Sequence, residues 1–339
     1  MGSTPIGISG SRAAAILGMS KYKTPFAVWQ ELCEARRPGF NAERGYILEK
    51  FEGNASTRFG LAFESSVIEL TEAATGKQIT DREGEYYLDG EVPITCHIDG
   101  RFSDSHIFEG KTVYERGFRL DWGEPGTDRI PQAYAIQVQN NMMVTGTEHC
   151  TVGALVFPKS PQEWEDEGWS AERGSEWHDK NIDYLTNNIT GDGSTTKQWA
   201  QSLAQMGYFH QYPIQSKPDT QKLLKEMYLD FWNRYVLTET PPEITDYEDI
   251  RRCFPSPKGT LVINDELASK FREYADIGKE LGTGGYLKKK QGELKTEILK
   301  ICLEKTTVAD DESQEKVVFV DESGNKCGQF DGKTFRASK

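Results

Sequence analysis

Apolar positions recur at helical spacing in some stretches of the chain and at strand spacing in others, and their order predicts an α/β architecture. Near the N-terminus Ser11-Arg-Ala-Ala-Ala-Ile-Leu17 followed by Gly18 predicts a short helix, with Ser11 as its N-cap and Gly18 just past its end. Thr24-Pro25 predicts the start of a second helix through Trp29 and Leu32, proline being suited to a first turn whose N–H groups have no intrahelical partner. After a polar stretch over residues 38–57, Leu61, Val67 and Ile68 fall near one face of a third helix, with Glu64 among them. Residues 85–88, 94–98 and 106–112 read as strands and predict an antiparallel meander. A helix opened by Pro131 and closed by Gly146, then an apolar strand over residues 151–157, complete a core with a central mixed sheet flanked by helices.

Residues 158–207 are rich in Trp, Glu, Asn and Gly and poor in periodicity, which predicts an excursion from that core. A strand is expected over residues 208–214, and a helix over 220–235 that packs Leu223, Leu224, Met227, Phe231 and Trp232 inward. Pro241-Pro242 reads as a boundary, giving a domain over residues 1–243 and an accessory region over 244–339. In that region Leu267, Phe271, Tyr274 and Leu281, then Leu287, Leu294, Ile298 and Ile301, predict a helical hairpin joined by a glycine turn at 282–285. Residues 317–320 and 326–330 around Ser323-Gly324-Asn325 predict a β-hairpin.

Composition narrows the function classes. A chain of 339 residues with 37% hydrophobic and 11% aromatic content can bury a substantial core. Its 40 basic and 53 acidic residues give a net charge of −13, so there is no global attraction to nucleic acid, and a DNA enzyme of this composition must gather its basic residues in a channel. The six cysteines form no C-x-x-C pair, which excludes a zinc ribbon or a four-cysteine iron–sulfur cluster. With no apolar run of membrane-spanning length and no basic-then-apolar leader, a cytoplasmic protein without a membrane partner is expected.

The chemistry concentrates in Ile98-Asp99-Gly100-Arg101-Phe102, followed after a turn by Phe108-Glu109-Gly110-Lys111. Glu109 and Lys111 are two apart and share one face of a strand, and Asp99 is expected on the adjoining strand of the hairpin. Mg²⁺ takes hard oxygen ligands and keeps several waters, so one or two carboxylates plus substrate phosphate oxygens suffice to hold it, and a lysine beside it can orient a nucleophile. That is the composition of a metal-dependent phosphodiesterase site. The alternative reading is a surface hairpin with a cross-strand ion pair worth about 0.2–1 kcal/mol. Taken singly, Glu64 and Gln137 also read as solvated helix residues, and Ser11 as a cap or an anion contact. His97 reads as a buried strand histidine or a phosphate contact, and Lys21, Lys23, Arg101, Arg116 and Arg119 as candidate contacts to a phosphate backbone.

Five blocks in order carry a resemblance: residues 7–18 with Thr24-Pro25 and Trp29, then Gly60-Leu-Ala-Phe-Glu64, His97-Ile-Asp-Gly100, Phe108-Glu-Gly-Lys111, and Tyr134-Ala-Ile-Gln137 through Gly146. Over residues 5–157 the chain resembles the YqaJ-like viral recombinases, relatives of the phage lambda exonuclease among the PD-(D/E)XK nucleases. The resemblance implies a restriction-endonuclease-like core. It also implies that Asp99, Glu109 and the Gly110 carbonyl bind Mg²⁺ or Mn²⁺, with Glu64 supporting a second ion or its water. Lys111 and Gln137 would position the attacking water, and Ser11, with Arg12, His97 and Arg101, would contact DNA and its 5′ phosphate. The activity implied is a 5′→3′ exonuclease that leaves a 3′ single-stranded tail on linear duplex DNA. The setting implied is phage or prophage recombination in a bacterial cytoplasm, with a ring-like homo-oligomer such as a trimer and a single-strand annealing protein as partner. A structure-specific or restriction-type endonuclease on the same core, and a non-catalytic DNA-end-binding scaffold, are the rival readings.

Overall fold

A computed structural model of the chain describes residues 7–48, 55–82, 84–104, 106–158, 196–254, 259–280, 285–304 and 316–338. These residues form two compact units, Met1–Lys21 with Phe51–Trp232, and Tyr22–Lys50 with Asn233–Lys339. Residues 22–50 and 233–243 therefore fold with the second unit, whereas the proline pair had suggested a single boundary after residue 243.

The first unit is built on a five-stranded mixed sheet in the order β1 (Ile79–Thr80), β4 (Gly100–Phe102), β5 (Ile107–Tyr114), β6 (His149–Phe157), β7 (Phe209–Gln215). Only β5 and β6 run parallel, in register from Ile107↔Cys150 to Tyr114↔Phe157, and this pair forms the apolar centre. One sheet face packs Phe102, Phe108, Leu155 and Phe157 against Phe63, Val67 and Ile68 of helix α4 (Ala55–Thr75) and Trp199 of the helix Thr196–Gln205. The other packs Ile107, Val152, Ala154 and Tyr212 against Val138 and Met142 of helix α6 (Gln132–Thr145). The result is a central mixed sheet between helices, as the sequence predicts.

The meander does not form as expected. Strand β3 (Ile94–Ile98) pairs with β2 (Gly84–Leu88) in a separate two-stranded sheet, and β5 takes as its antiparallel neighbour the three-residue β4, with Gly100 opposite Phe108. The strand path is interrupted at Asp99, and Gly100 after it lies hard against β1: a Cβ there would sit 2.3 Å from Ile79 Cγ2. Helix α1 (Gly10–Ile16) starts earlier than predicted, with Ser9 as the N-cap residue and Ser11 inside the first turn. Gly18 follows its C-cap at φ 69°, and Gly146 closes α6 at φ 67°, both in the left-handed region open to glycine. In the helix Pro218–Phe231, Leu224 and Phe231 are buried, but Leu223 and Met227 face solvent. Its last turn widens into a π-helix over Trp232–Val236. Trp164, Trp169 and Trp177 of the predicted excursion, and residues 281–284 of the glycine turn, lie outside the described residues.

The second unit contains helix α2 (Pro25–Arg36), capped by Thr24 Oγ1 accepting from Ala27 N at 3.1 Å. Trp29 is fully buried against Phe26 and Phe40 and donates from Nε1 to Tyr235 O at 2.9 Å. The Thr24 hydroxyl donates to Oδ1 of the buried Asp249 at 2.6 Å, tying the start of α2 to the helix Tyr247–Cys253. The helices Asp265–Glu280 and Gly285–Glu304 pack on a four-stranded sheet in the order β11 (Phe335–Ala337), β10 (Lys326–Phe330), β9 (Val317–Val320), β8 (Gly259–Val262). The predicted hairpin is β9–β10, and the outer strands are additions to it. Among the described residues no helix is long and apolar enough to cross a membrane.

Candidate active site

Strand β5 fixes the chemistry by its pleat. Phe108 and Gly110 turn toward α4, with Val67 beside Gly110, while Glu109 and Lys111 turn toward α6. Because β4 begins at Gly100, its ladder with β5 runs out opposite Phe108, and the Asp99 carboxylate replaces a strand at that point: its Oδ2 accepts the Gly110 N–H at 2.7 Å. The two carboxylates and the ammonium of the motif are therefore gathered at one end of the β4–β5 hairpin.

Helix α6 supplies the rest. Gln137 Nε2 donates to Glu109 Oε1 at 2.6 Å, and Lys111 Nζ donates to the same oxygen at 2.5 Å and to Gln137 Oε1 at 3.5 Å. Asn141, one helical turn on, donates from Nδ2 to Glu109 Oε2 at 3.1 Å. The Tyr134 ring, one turn before Gln137, lies with its centroid 5.0 Å from Lys111 Nζ. Asn141 and Tyr134 lie within the resembling block but were not singled out from the sequence. Their signal is helix α6 itself, which carries no charged residue over its length and so must be buried, leaving its amides to find protein partners. Asn140 and Gln139 do so as well, Asn140 on Thr95 O and Tyr228, Gln139 on Gln215 O and Lys217 N.

Glu109 is 2% exposed. Burial, reinforced by the nearby Asp99 charge and opposed by Lys111, pushes its carboxyl up from 4.5 to about 7. Burial works against the Lys111 ammonium, but Glu109 and Asp99 outweigh it and hold the lysine above its ordinary range. In metal-free protein the folded state holds the Glu109 proton more tightly than the unfolded chain, so this residue's contribution falls as pH rises from about 4.5 to about 7. Melting temperatures in chelator should show Glu109→Gln gaining on the wild type as pH is raised across that window, and a constant difference would reject the assignment.

The other residues singled out from the sequence divide. Glu64 is half-buried on helix α4, between Gly60 and Val67, which lie beside Thr112 and Gly110 of β5. Ser11 is exposed, its hydroxyl 3.2 Å from that of Ser9, and Arg12 donates from Nη1 to Gly7 O at 2.7 Å. His97 is exposed on β3, not buried. Arg101 lies over the Tyr86 ring at 5.2 Å, with Nε 3.9 Å from Asp81. Helix α1 reaches the cluster indirectly, since Gly10 packs on Gln137, and a Cβ at residue 10 would lie 2.8 Å from Gln137 Cγ and 2.9 Å from its Cα. Gly10→Ala should thus destabilise the fold by about 1–3 kcal/mol, measurable in denaturant, because the helix backbone cannot yield as a side chain would.

Among the described residues no three His, Cys, Asp or Glu side chains converge as a closed metal cage. Asp99, Glu109 and the Gly110 carbonyl, the ligands that the resemblance implies, are hard oxygens, the donor type that Mg²⁺ and Mn²⁺ take with water and phosphate completing an open site.

Residues 5–148 match the YqaJ-like viral recombinase domain. The resemblance drawn from the sequence blocks is borne out over those residues, which include Asp99, Glu109, Lys111, Gln137 and Asn141. The protein YqaJ of Bacillus subtilis (strain 168), itself uncharacterized, is 26% identical over 144 residues, 42% of this chain and 40% of that protein's length. Among solved structures, a phage related exonuclease from Haemophilus somnus 129PT is similar at 16% identity and a TM-score of 0.41, over 69% of this chain and 96% of its own. The alkaline exonuclease LHK-Exo from Laribacter hongkongensis is similar at 14% identity and a TM-score of 0.44, over 70% of this chain and 91% of its own.

Proposed function

We propose that this protein is a Mg²⁺- or Mn²⁺-dependent 5′→3′ exonuclease, degrading one strand of linear duplex DNA to leave a 3′ single-stranded tail for recombination by strand annealing. The observation that carries the reading is the buried Glu109–Lys111–Gln137 cluster with Asp99 fixed beside it, inside the segment that matches a viral recombinase domain. Polarity, duplex preference, the homo-oligomeric ring, the annealing partner and the phage setting rest on the family resemblance.

Asp99, Glu109 and the Gly110 carbonyl would hold the metal, with Glu64 assigned to a second ion. A bound divalent cation polarises the phosphodiester and lowers the pKa of water. Lys111, held charged between two carboxylates, orients the attacking water and offsets charge developing on the phosphate. Gln137 fixes the lysine and Glu109 at once through its two amide atoms. Ser11, Arg12, His97 and Arg101 are assigned to the DNA backbone and its 5′ phosphate.

The test is the fate of 5′-phosphorylated linear duplex, labelled at either end, incubated with Mg²⁺ beside a covalently closed circle. Loss from the 5′ strand of the linear DNA alone supports the exonuclease. Cutting of the circle would replace it with an endonuclease, and DNA binding without cleavage with an end-binding scaffold.

A further inference from the structure

We infer that Asn141 is a positioning residue for the metal-binding carboxylates, setting the spacing of the segments that carry Asp99 and Glu109. Its side-chain amide is 2% exposed, and Nδ2 is shared between two acceptors, Glu109 Oε2 at 3.1 Å and the His97 carbonyl at 3.4 Å. His97 is the second residue before Asp99 on the way out of β3, and Glu109 sits on β5. Strands β3 and β5 are not hydrogen-bonded neighbours, so no ladder holds these two segments in register. One amide reaches both.

The same hydrogen bond also sets the rotation of the Glu109 carboxylate. Lys111 and Gln137 both donate to Oε1, which alone would leave the plane of the group free to pivot about that oxygen. The Asn141 bond to Oε2 fixes the second oxygen. A carboxylate held at both oxygens presents its remaining lone pairs in one direction, and donors that orient a metal's ligands in this way change affinity by about 10–100-fold when removed. Asn141 is itself anchored on the rigid α6 backbone.

Asn140 provides an internal control. It is the neighbouring asparagine on the same helix, equally buried, and its amide bonds go to Thr95 O and the Tyr228 hydroxyl rather than to Glu109. Truncating either asparagine removes two side-chain hydrogen bonds, but only one of the two asparagines touches the site.

This inference rests on the metal-dependent reading, and its test reads binding rather than cleavage. Mn²⁺ is titrated into the full-length wild type, Asn141→Ala, Asn140→Ala and Asp99→Ala, and the free ion is followed by electron paramagnetic resonance with melting temperatures alongside. Asn141→Ala should weaken Mn²⁺ binding about tenfold or more while Asn140→Ala stays within about twofold, although both variants melt lower. Equal Mn²⁺ affinity in the two asparagine variants would overturn the proposal. If Asn141→Ala does not fold, Asn141→Ser, whose hydroxyl is too short to reach Glu109, takes its place with the same expectation. A wild type that binds Mn²⁺ through Asp99 yet cuts no DNA would defeat the nuclease reading while leaving the role of Asn141 to be decided by its own titration. A wild type that binds no Mn²⁺ would defeat both.

Discussion

Replacing Lys111 with alanine is expected to lower turnover on linear DNA by about 10²-fold or more, the scale seen when one charge-stabilising donor is removed from an active site. It should do so without unfolding the protein. Removing one partner of a buried ion pair ordinarily costs about 3–5 kcal/mol because the other charge is left stranded. Here the stranded group has an exit: burial already pushes the Glu109 carboxyl up to about 7, and without Lys111 it should take up a proton and stay in place as a neutral carboxyl beside Gln137 and Asn141. The variant should therefore keep its cooperative melt below neutral pH and lose activity at every pH. Undiminished cleavage would remove Lys111 from the mechanism. A collapsed fold at pH 6 would show that the pair is structural.

The Asp99→Ala variant should lose metal binding outright, and cleavage with it. Two effects coincide at this residue, because the carboxylate is both a proposed ligand and the acceptor for the Gly110 N–H where the β4 ladder ends. Losing the second function leaves a strand N–H unpaired at a cost of about 1–3 kcal/mol if water does not reach it. Asp99→Asn separates the two roles, since its amide oxygen still accepts from Gly110 but carries no charge. Calorimetric titration with Mn²⁺ should show both variants without binding and only the alanine variant with a lowered melting temperature. A titration curve unchanged from wild type in Asp99→Asn would reject the assignment of Asp99 as a ligand.

The parts of this molecule legible in its sequence are those set by local rules. Thr24-Pro25 and Gly146 mark helix ends because a cap, a ring and a left-handed turn are properties of one or two residues. The Glu109/Lys111 pairing follows from the two-residue strand period alone. What was not legible depends on partners distant in sequence. Strand β3 carries no mark of whether it will pair with β2 or β5, and β4 is too short to show a period. Helix α1 begins ahead of the Ser11 cap read from the sequence, with Gly10 packed on Gln137 of α6, a contact between residues distant in the chain. Asn141 stayed hidden because its partner, Glu109, lies 32 residues away and on another element.

The Trp29 indole and the Tyr235 carbonyl that accepts its N–H lie 206 residues apart. On a ribosome adding about 5–20 residues per second, the helix bearing Trp29 emerges about 10–40 s before its acceptor is made. The intervening strands and helices of the first unit can close on themselves during that interval, while the Trp29 N–H is still without the carbonyl that accepts it in the finished fold. The order of synthesis makes this link of the second unit a late one, closed only after the whole of residues 51–232 has been made.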